Sequence, residues 1–394
     1  MAQGRYAQVK DESCGGYPRI NVETIEGICA GLVFRSPGGR GNMRLPRMML
    51  RLPGTDDWLV SDLGGWNVTA GGVWRLSAKP GETAKATRVL GGLEMPHTLA
   101  LGPDGRVYVG EMGRIFSFDP AAKDVKASIV DVITGLPDNR LHDNRHPLSA
   151  FVFDREGALI VNIGARSDQC LDAKGARPSV TCAEGEGKDA AAVLRRYTRD
   201  ASGKWLANYT VIASGLRNSM AFAMTPQGRL LQAENSIDIP DEDEPFDEIN
   251  LIGQGKHYGW PYCMDKVKPT PGWAGSKAMD CAGAAHTAPV ALLDPHSAPL
   301  DMLYYSGLMF PELKGRLLVS LHGYKPTGGR IVSFATGADG LPVGAAQDMT
   351  TGWDARPRIR PQGSPVGMAV ASDGSIWVAD DRSRAIVRFA KVGS

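Results

Sequence analysis

Residues 98–119 read TLALGPDGRVYVGEMGRIFSFD. Apolar residues flank the Asp104–Gly105 pair in short runs, and a glycine there supplies the positive φ that a tight hairpin between two strands requires. The pattern returns at Met368–Ala390 as MAVASDGSIWVADDRSRAIVRFA. Looser copies are MMLRLPGTDDWLVSDLGG from Met48, FVFDREGALIVNIG from Phe151, MAFAMTPQGRLLQAEN from Met220 and GLMFPELKGRLLVSLHG from Gly307. A period of 2 dominates over 3.6 in all six. One such hairpin every 50 to 90 residues or so, leaving room for two further strands per unit, is the signature of a propeller. The expected fold is therefore all-β, a six-bladed β-propeller of four-stranded antiparallel blades. Residues 1–394 form one domain in this reading, with 1–15 a partly ordered tail. A two-sheet sandwich is the alternative, but sandwiches seldom carry so regular a turn motif. Insertions at 165–190, 236–247 and 262–300 read as ordered loops on one rim.

Composition agrees with many strands and many turns. The 394 residues include 48 Gly and 26 Pro. Lys and Arg total 44 against 43 Asp and Glu, for a net charge of +1. Without a basic block, a phosphate-tracking surface is not expected and nucleic acid is excluded as a main partner. No stretch approaches 18 apolar residues, so a membrane-spanning helix is not expected either.

Six cysteines fall into near couples, Cys14 with Cys29, Cys170 with Cys182 and Cys263 with Cys281. Local disulfides and an oxidising compartment are the expectation, although six cysteines permit roughly 15 pairings. A metal reading is weakened by the lack of any Cys-x-x-Cys, which also removes covalently attached c-type haem. The amino terminus carries no apolar run of signal-peptide length, so a periplasmic or secreted location implies a signal removed from this chain. Asn67-Val68-Thr69 and Asn208-Tyr209-Thr210 fit the glycosylation sequon.

Three segments carry a resemblance. GLRNSMAFAMTPQGRLLQAEN from Gly215, DEINLIGQGKHYGWPYC from Asp247 and HPLSAFVFDREGALIVNIGARSDQC from His146 resemble the soluble pyrroloquinoline quinone (PQQ) dependent aldose sugar dehydrogenases and L-sorbosone dehydrogenases. Further matches begin at His296 and Gly363, so the likeness covers most of the chain beyond about residue 90. It implies a PQQ over the central channel with a calcium ion bridging cofactor and protein. It also implies oxidation of an aldose, a sugar aldehyde such as sorbosone or a related alcohol, by hydride transfer to the quinone. With no haem motif in the chain, electrons pass to a separate acceptor, a quinone, dye or cytochrome.

The resemblance assigns roles residue by residue. His146, eleven positions before Gly157, stands where the family has the base that removes the substrate's hydroxyl proton. Arg217 and Asn218 match an Arg-Asn pair at the cofactor, the arginine stabilising charge on the quinone oxygen. Calcium takes roughly six to eight hard oxygen ligands. The carbonyls expected to supply them are those of Ser236 and Ile237, in a loop that is longer here and carries Asp238, Asp241, Glu242, Asp243 and Glu244. A second calcium in some relatives is held by positions matching Asp247, Glu248 and the Tyr258 carbonyl. The cofactor's three carboxylates call for basic partners. Two family arginines align with Ser364 and Val366, leaving Arg356, Arg358 and Arg360 upstream as substitutes. A family lysine aligns with His322, with Lys325 nearby, and His97 occupies a rim position that often contacts cofactor. Tyr304 and Tyr305 are either a sugar-stacking wall or core.

Two other functions compete. A calcium-dependent hydrolase of the lactonase kind would use one central metal, with Asn162, Asn218 and Asn235 as candidate ligands. A propeller acting purely as a binding platform is the other, and fold alone does not separate the three.

Overall fold

The Asp104–Gly105 turn closes the hairpin between Leu99–Leu101 and Val107–Glu111, with Val107 opposite Leu101 and Val109 opposite Leu99. Gly105 sits at φ 78° and donates its N–H to the Gly102 carbonyl, while the Asp104 side chain accepts the Arg106 N–H at 3.2 Å. Short polar side chains at such turns bond their own backbone two residues on, which is why Asp precedes Gly here. The computed structural model describes residues 8–66, 69–139, 144–323, 325–351, 353 and 363–393.

Among these, six antiparallel sheets of four to six strands form the blades of a propeller. Blade 1 runs Pro46–Arg51, Trp58–Asp62, Gly71–Ser77 and Lys85–Leu93 from the inside outward. Blade 2 continues from its hairpin through Arg114–Phe118 and Val130–Thr134. Blade 3 comprises Phe151–Phe153, Leu159–Ile163, Val193–Arg199 and Trp205–Ser214, with Lys256–His257 added in parallel. Blade 4 comprises Ser219–Met224, Leu230–Glu234, Phe246–Leu251 and Ala291–Pro295. Blade 5 comprises Pro299–Tyr304, Leu317–Leu321, Arg330–Thr336 and Pro342–Thr351, extended by Glu23–Thr24. Blade 6 takes Pro365–Val370, Ile376–Asp380 and Ala385–Lys391 from the carboxyl end and its fourth strand, Ile28–Arg35, from the amino end.

Joining the two ends in one sheet closes the ring, so no blade is left with an open neighbour. The blades pack through interdigitating apolar faces. Trp58 of blade 1 stacks on Trp377 of blade 6 at 4.8 Å, and both are buried. Burial of a large side chain of this kind contributes roughly 1.5–3 kcal/mol.

The couples expected from cysteine spacing are the disulfides Cys14–Cys29, Cys170–Cys182 and Cys263–Cys281. The expected amino-terminal tail is corrected over Gln8–Cys14, which forms a strand on Tyr17–Ile20 at the outer edge of blade 6. The Cys14–Cys29 bridge pins it to the closing strand, and disulfide and strand pairing together outweigh the polarity of its sequence. Its loop of 15 residues predicts that a Cys14→Ser/Cys29→Ser double variant loses about 3 kcal/mol in urea unfolding. An unchanged midpoint and slope would show that the ring closes without it.

Candidate functional site

Inner strands of a propeller all run the same way, so their starting ends meet at one rim. The second strand of each blade returns antiparallel and ends there too, as the pairs Pro46–Asp62, Ser219–Glu234 and Pro365–Asp380 show. Residues at or just before the start of an inner strand, or just after a second strand, therefore converge on one mouth of the central channel. Arg47, His97, His146, Arg217 and Asn218 come from the first class of position, and Asn235, His322 and Asp381 from the second.

Two buried networks occupy this mouth. In the first, Arg217 is 3 % exposed and donates from Nε and Nη2 to the Asp168 carboxylate at 2.9 and 2.6 Å. Its Nη1 donates to the Asn235 carbonyl at 2.8 Å, and Asp238 approaches Nη2 at 3.3 Å. Although burial alone would raise it, the Asp168 carboxyl is held below its ordinary value by Arg217 and by the Asp238 N–H. His146 lies beside this pair. Its Nδ1 is 2.6 Å from the Ala165 carbonyl, which can only accept, so Nδ1 carries the proton and Nε2 keeps its lone pair. Burial and the Arg217 charge lower the imidazole to about 3 and keep it neutral. The second network joins blades 1, 2, 5 and 6. Arg47 Nη1 donates to Asp381 at 2.5 Å and its Nε to His97 Nδ1 at 3.2 Å, while His322 Nε2 lies 3.0 Å from both Asp381 oxygens. With Nδ1 accepting, His97 carries its proton on Nε2, a buried donor without a partner among the described residues. Asn218 Oδ1 is likewise buried without a partner among those residues.

The insertions hold the first network in place. The Trp260 indole N–H donates to the Asp168 carbonyl at 2.8 Å and that of Trp273 to the Gln169 carbonyl at 2.9 Å. These rings pack with both rim disulfides and Ile237 in a small apolar core. The loop after Asn235 is tied down by Asp247, which accepts the Ser236 and Ala298 N–H groups at 2.8 and 2.6 Å. Among the described residues no hydrogen bond reaches the carbonyls of Ser236 or Ile237.

Asp247 and Glu248 are not brought together as one metal set. Neighbouring residues of a strand face opposite ways, and Asp247 is spent on Ser236, Ser297 and Ala298. Glu248 instead opposes Glu234 across blade 4, two residues along from the Gln232–Asn250 pair. Burial pushes both carboxyls up, and each raises the other or is raised by nearby carboxylates. Glu234 Oε2 and Asn250 Oδ1 are buried without partners among the described residues. Tyr258 packs between blades 3 and 4 with its hydroxyl on the Gly253 N–H and the Leu251 carbonyl.

Other candidate residues lie away from the mouth or serve the backbone. Tyr304 and Tyr305 lie at the far end of Pro299–Tyr304, where the buried Tyr305 donates its hydroxyl to the Gly374 carbonyl and the partly buried Tyr304 donates its own to the Gly340 carbonyl, so of the two readings the core one holds and neither ring stands at the mouth. Lys325 is an exposed partner of Glu242 at 3.1 Å and stands apart from the buried networks. Of the lactonase ligand set, Asn162 accepts the Ser219 N–H and Asn235 donates to the Pro299 carbonyl, so both serve the backbone. Arg356, Arg358 and Arg360 lie outside the described residues. Arg47, Asp168, Glu234 and Asp381 were not singled out by sequence. Registering the six hairpins on one another would have flagged Arg47 and Asp381, because they occupy the strand-start and strand-end positions that carry His97 and His322.

Below the mouth the channel continues as an apolar cavity of about 330 Å³, lined by residues such as Met48, Leu99, Phe151, Met220 and Met368. Among the described residues its one carboxylate is Asp301, which accepts the Met368 and Met302 N–H groups at 2.7 and 2.9 Å. Burial pushes Asp301 up to about 7. A carboxyl raised above its unfolded value of about 3.9 binds a proton in the native state that the unfolded chain releases, so its contribution to stability falls as pH rises through that window. Asp301→Asn is expected to gain about 2 kcal/mol on the wild type between pH 5 and pH 8 in urea unfolding. A pH-independent difference would mean that Asp301 is ionised throughout.

A six-bladed propeller with a buried polar ring at one channel mouth is the class that fold and site define. Residues 40–391 match the TrAA12-like family, and the chain belongs to that family. The calcium structure of the Trichoderma reesei carbohydrate-active enzyme of family AA12 superposes with a TM-score of 0.74 at 20 % identity, covering 98 % of this chain and 99 % of that one. The PQQ domain of pyranose dehydrogenase from Coprinopsis cinerea gives 0.70 at 19 % identity, over 96 % and 100 %. The soluble aldose sugar dehydrogenase of Escherichia coli gives 0.63 at 17 %, over 92 % and 99 %. At these identities the likeness is one of fold. Quinoprotein glucose dehydrogenase B of Acinetobacter calcoaceticus is 51 % identical over 47 residues, a match spanning 12 % of this chain and 9 % of that protein.

Proposed function

We propose that this protein oxidises a sugar, either an aldose or a sugar aldehyde such as sorbosone, or a related alcohol, using PQQ and calcium and passing electrons to a separate acceptor. One observation carries the reading: His146 has its Nδ1 proton committed to the Ala165 carbonyl, which leaves Nε2 as a neutral base at the channel mouth. A positioned base of this kind takes a hydroxyl proton as the adjacent C–H bond breaks. When bound, PQQ supplies the two-electron hydride acceptor.

The residues at the mouth fit that cofactor. Among the described residues His97 Nε2–H and Asn218 Oδ1 are buried polar atoms with no partner, and leaving such groups unpaired costs roughly 1–3 kcal/mol each. A planar, polar ligand over the channel satisfies both. Arg47 and His322 add ring and guanidinium N–H groups toward carboxylates, with Asp381 orienting them. Arg217 acts here through position and field, since Asp168 already balances its charge. Arg358 and Arg360 are further proposed partners of the cofactor's carboxylates. The open carbonyls of Ser236 and Ile237 are hard oxygen donors suited to calcium at the cofactor. The Glu234–Glu248 pair, with Asn250 Oδ1 beside it and the Tyr258 carbonyl nearby in sequence, suits a second cation that would keep both carboxylates ionised.

Three disulfides support a periplasmic or secreted location. Among the described residues no helix is long and apolar enough to cross a membrane.

The test is reconstitution with PQQ and calcium, followed by dye reduction across aldoses, sugar aldehydes and alcohols. Reduction that requires both additions supports the reading. Failure to bind PQQ at micromolar concentration overturns it.

A further inference from the structure

Blade 1 holds a second polar cleft, separate from the channel. It opens between the 36–45 connection and the outer strands, has a volume of about 480 Å³, and is lined by Arg40, Arg44, Arg88, Trp74 and Asp62 among others. Asp62 ends the second strand of the blade and Gly71 starts the third, so the cleft lies on the same rim as the channel mouth and further out.

Its charge is unbalanced. The side chains of Arg40 and Arg44 make no hydrogen bond or ion pair among the described residues, and both are exposed. Arg88 is exposed as well and lies over the Trp74 ring at 5.9 Å. Asp62 is the one carboxylate of the lining, and it is 2 % exposed. Both its oxygens are taken up by N–H groups of Arg44, Leu45, Gly64 and the Trp74 indole. Three guanidinium groups therefore face the cleft against one carboxylate that is turned to the backbone. Side chains are also missing where a ligand would lie: a Cβ added at Gly39, Gly41 or Gly92 would meet nothing within 4 Å. Trp66 follows Gly65 in the adjoining loop and is 66 % exposed, an aromatic face of the kind that packs on sugar rings.

We infer that this cleft is a binding site for the carboxylate-bearing sugar of an acidic oligosaccharide, a uronate unit held by Arg40, Arg44 and Arg88. Guanidinium forks match carboxylates in bidentate geometry. The open cleft admits a chain that continues along the rim, and its place beside the channel mouth would let a chain held here present its end to the site. This deepens the sugar-oxidation reading and rests on it for the direction of the chain, but binding itself does not depend on any cofactor.

The experiment is calorimetry on the protein without added cofactor, using oligogalacturonate, a neutral oligosaccharide of equal length and inorganic sulfate as probes. Wild-type protein is expected to bind oligogalacturonate, to lose affinity as salt rises, and to ignore the neutral chain. Arg40→Glu/Arg44→Glu should weaken binding about tenfold or more with the unfolding temperature unchanged, since neither side chain has a folding partner among the described residues. Arg88→Ala should weaken it by a smaller factor. Equal binding of the neutral chain overturns the proposal, as does unchanged binding by the double variant. Sulfate displacing oligogalacturonate at equal concentration reduces the cleft to a simple anion site and overturns the glycan assignment. If PQQ-dependent oxidation fails while oligogalacturonate still binds, the sugar-oxidation reading falls and this one stands.

Discussion

His146→Ala is expected to lower the turnover of sugar oxidation by about 10²- to 10⁴-fold in the reconstituted protein, the range over which a positioned base contributes. The loss should appear in kcat more than in KM, because the imidazole acts on the transferring proton. Cofactor binding, read by quinone fluorescence or absorbance, should survive. In the cofactor-free protein the imidazole should remain neutral across the whole range from pH 8 to pH 4, since burial and Arg217 hold it near 3. Nitrogen chemical shifts report this directly. A His146 that protonates near pH 6.5 would mean that Nε2 is solvated and that the network around it is not formed. Full activity in the alanine variant would remove His146 from the chemistry.

The largest expected effect on stability lies one contact away. Asp168→Ala leaves the buried Arg217 guanidinium without its counter-ion, and breaking a buried pair from one side costs about 3–5 kcal/mol. Arg217→Leu/Asp168→Leu should cost less than the sum of the single changes, because both charges leave together. Urea unfolding of the four proteins gives the coupling energy. The pH dependence has a definite sign. The native Asp168 carboxyl titrates below its unfolded value of about 3.9, so its stabilisation is full above that pH and is lost as pH falls through the native value. The gap between wild type and Asp168→Ala should therefore shrink below about pH 4. Additive single effects would show that the pair is solvated and weak.

Asp168 also shows why part of the site was hidden in the sequence. It lies at the entry to the 165–190 insertion, nineteen residues beyond Ser149 at the channel rim and far from Arg217 in the chain. Nothing in its neighbours marks it as a counter-ion. Its place is set by Trp260 and Trp273, whose indole N–H groups hold the Asp168 and Gln169 carbonyls from a different insertion. His146 and Arg217 were singled out through the family resemblance of the HPLSAF and GLRNSMAF segments, and their short distance from a strand start is what carries them to the rim. Asp247 and Glu248 were legible as a pair of acids but not as neighbours facing opposite ways, since that depends on which side of the blade each packs. Tyr304 and Tyr305 were ambiguous because an aromatic pair at a strand is read the same way at either end of the channel.

What the sequence determined by itself was local. Six Gly-containing hairpins of period 2 dictate six inner strand pairs, and spacing of cysteines within about 20 residues favours loops that close on themselves. What only the tertiary structure decided was which ends of those strands meet. Ring closure by Ile28–Arg35 against Ala385–Lys391 brings residues from both ends of the chain to one rim. There Arg47 reaches Asp381 across 334 positions, a contact that no local pattern encodes because the energy that makes it comes from packing the blades around a common axis.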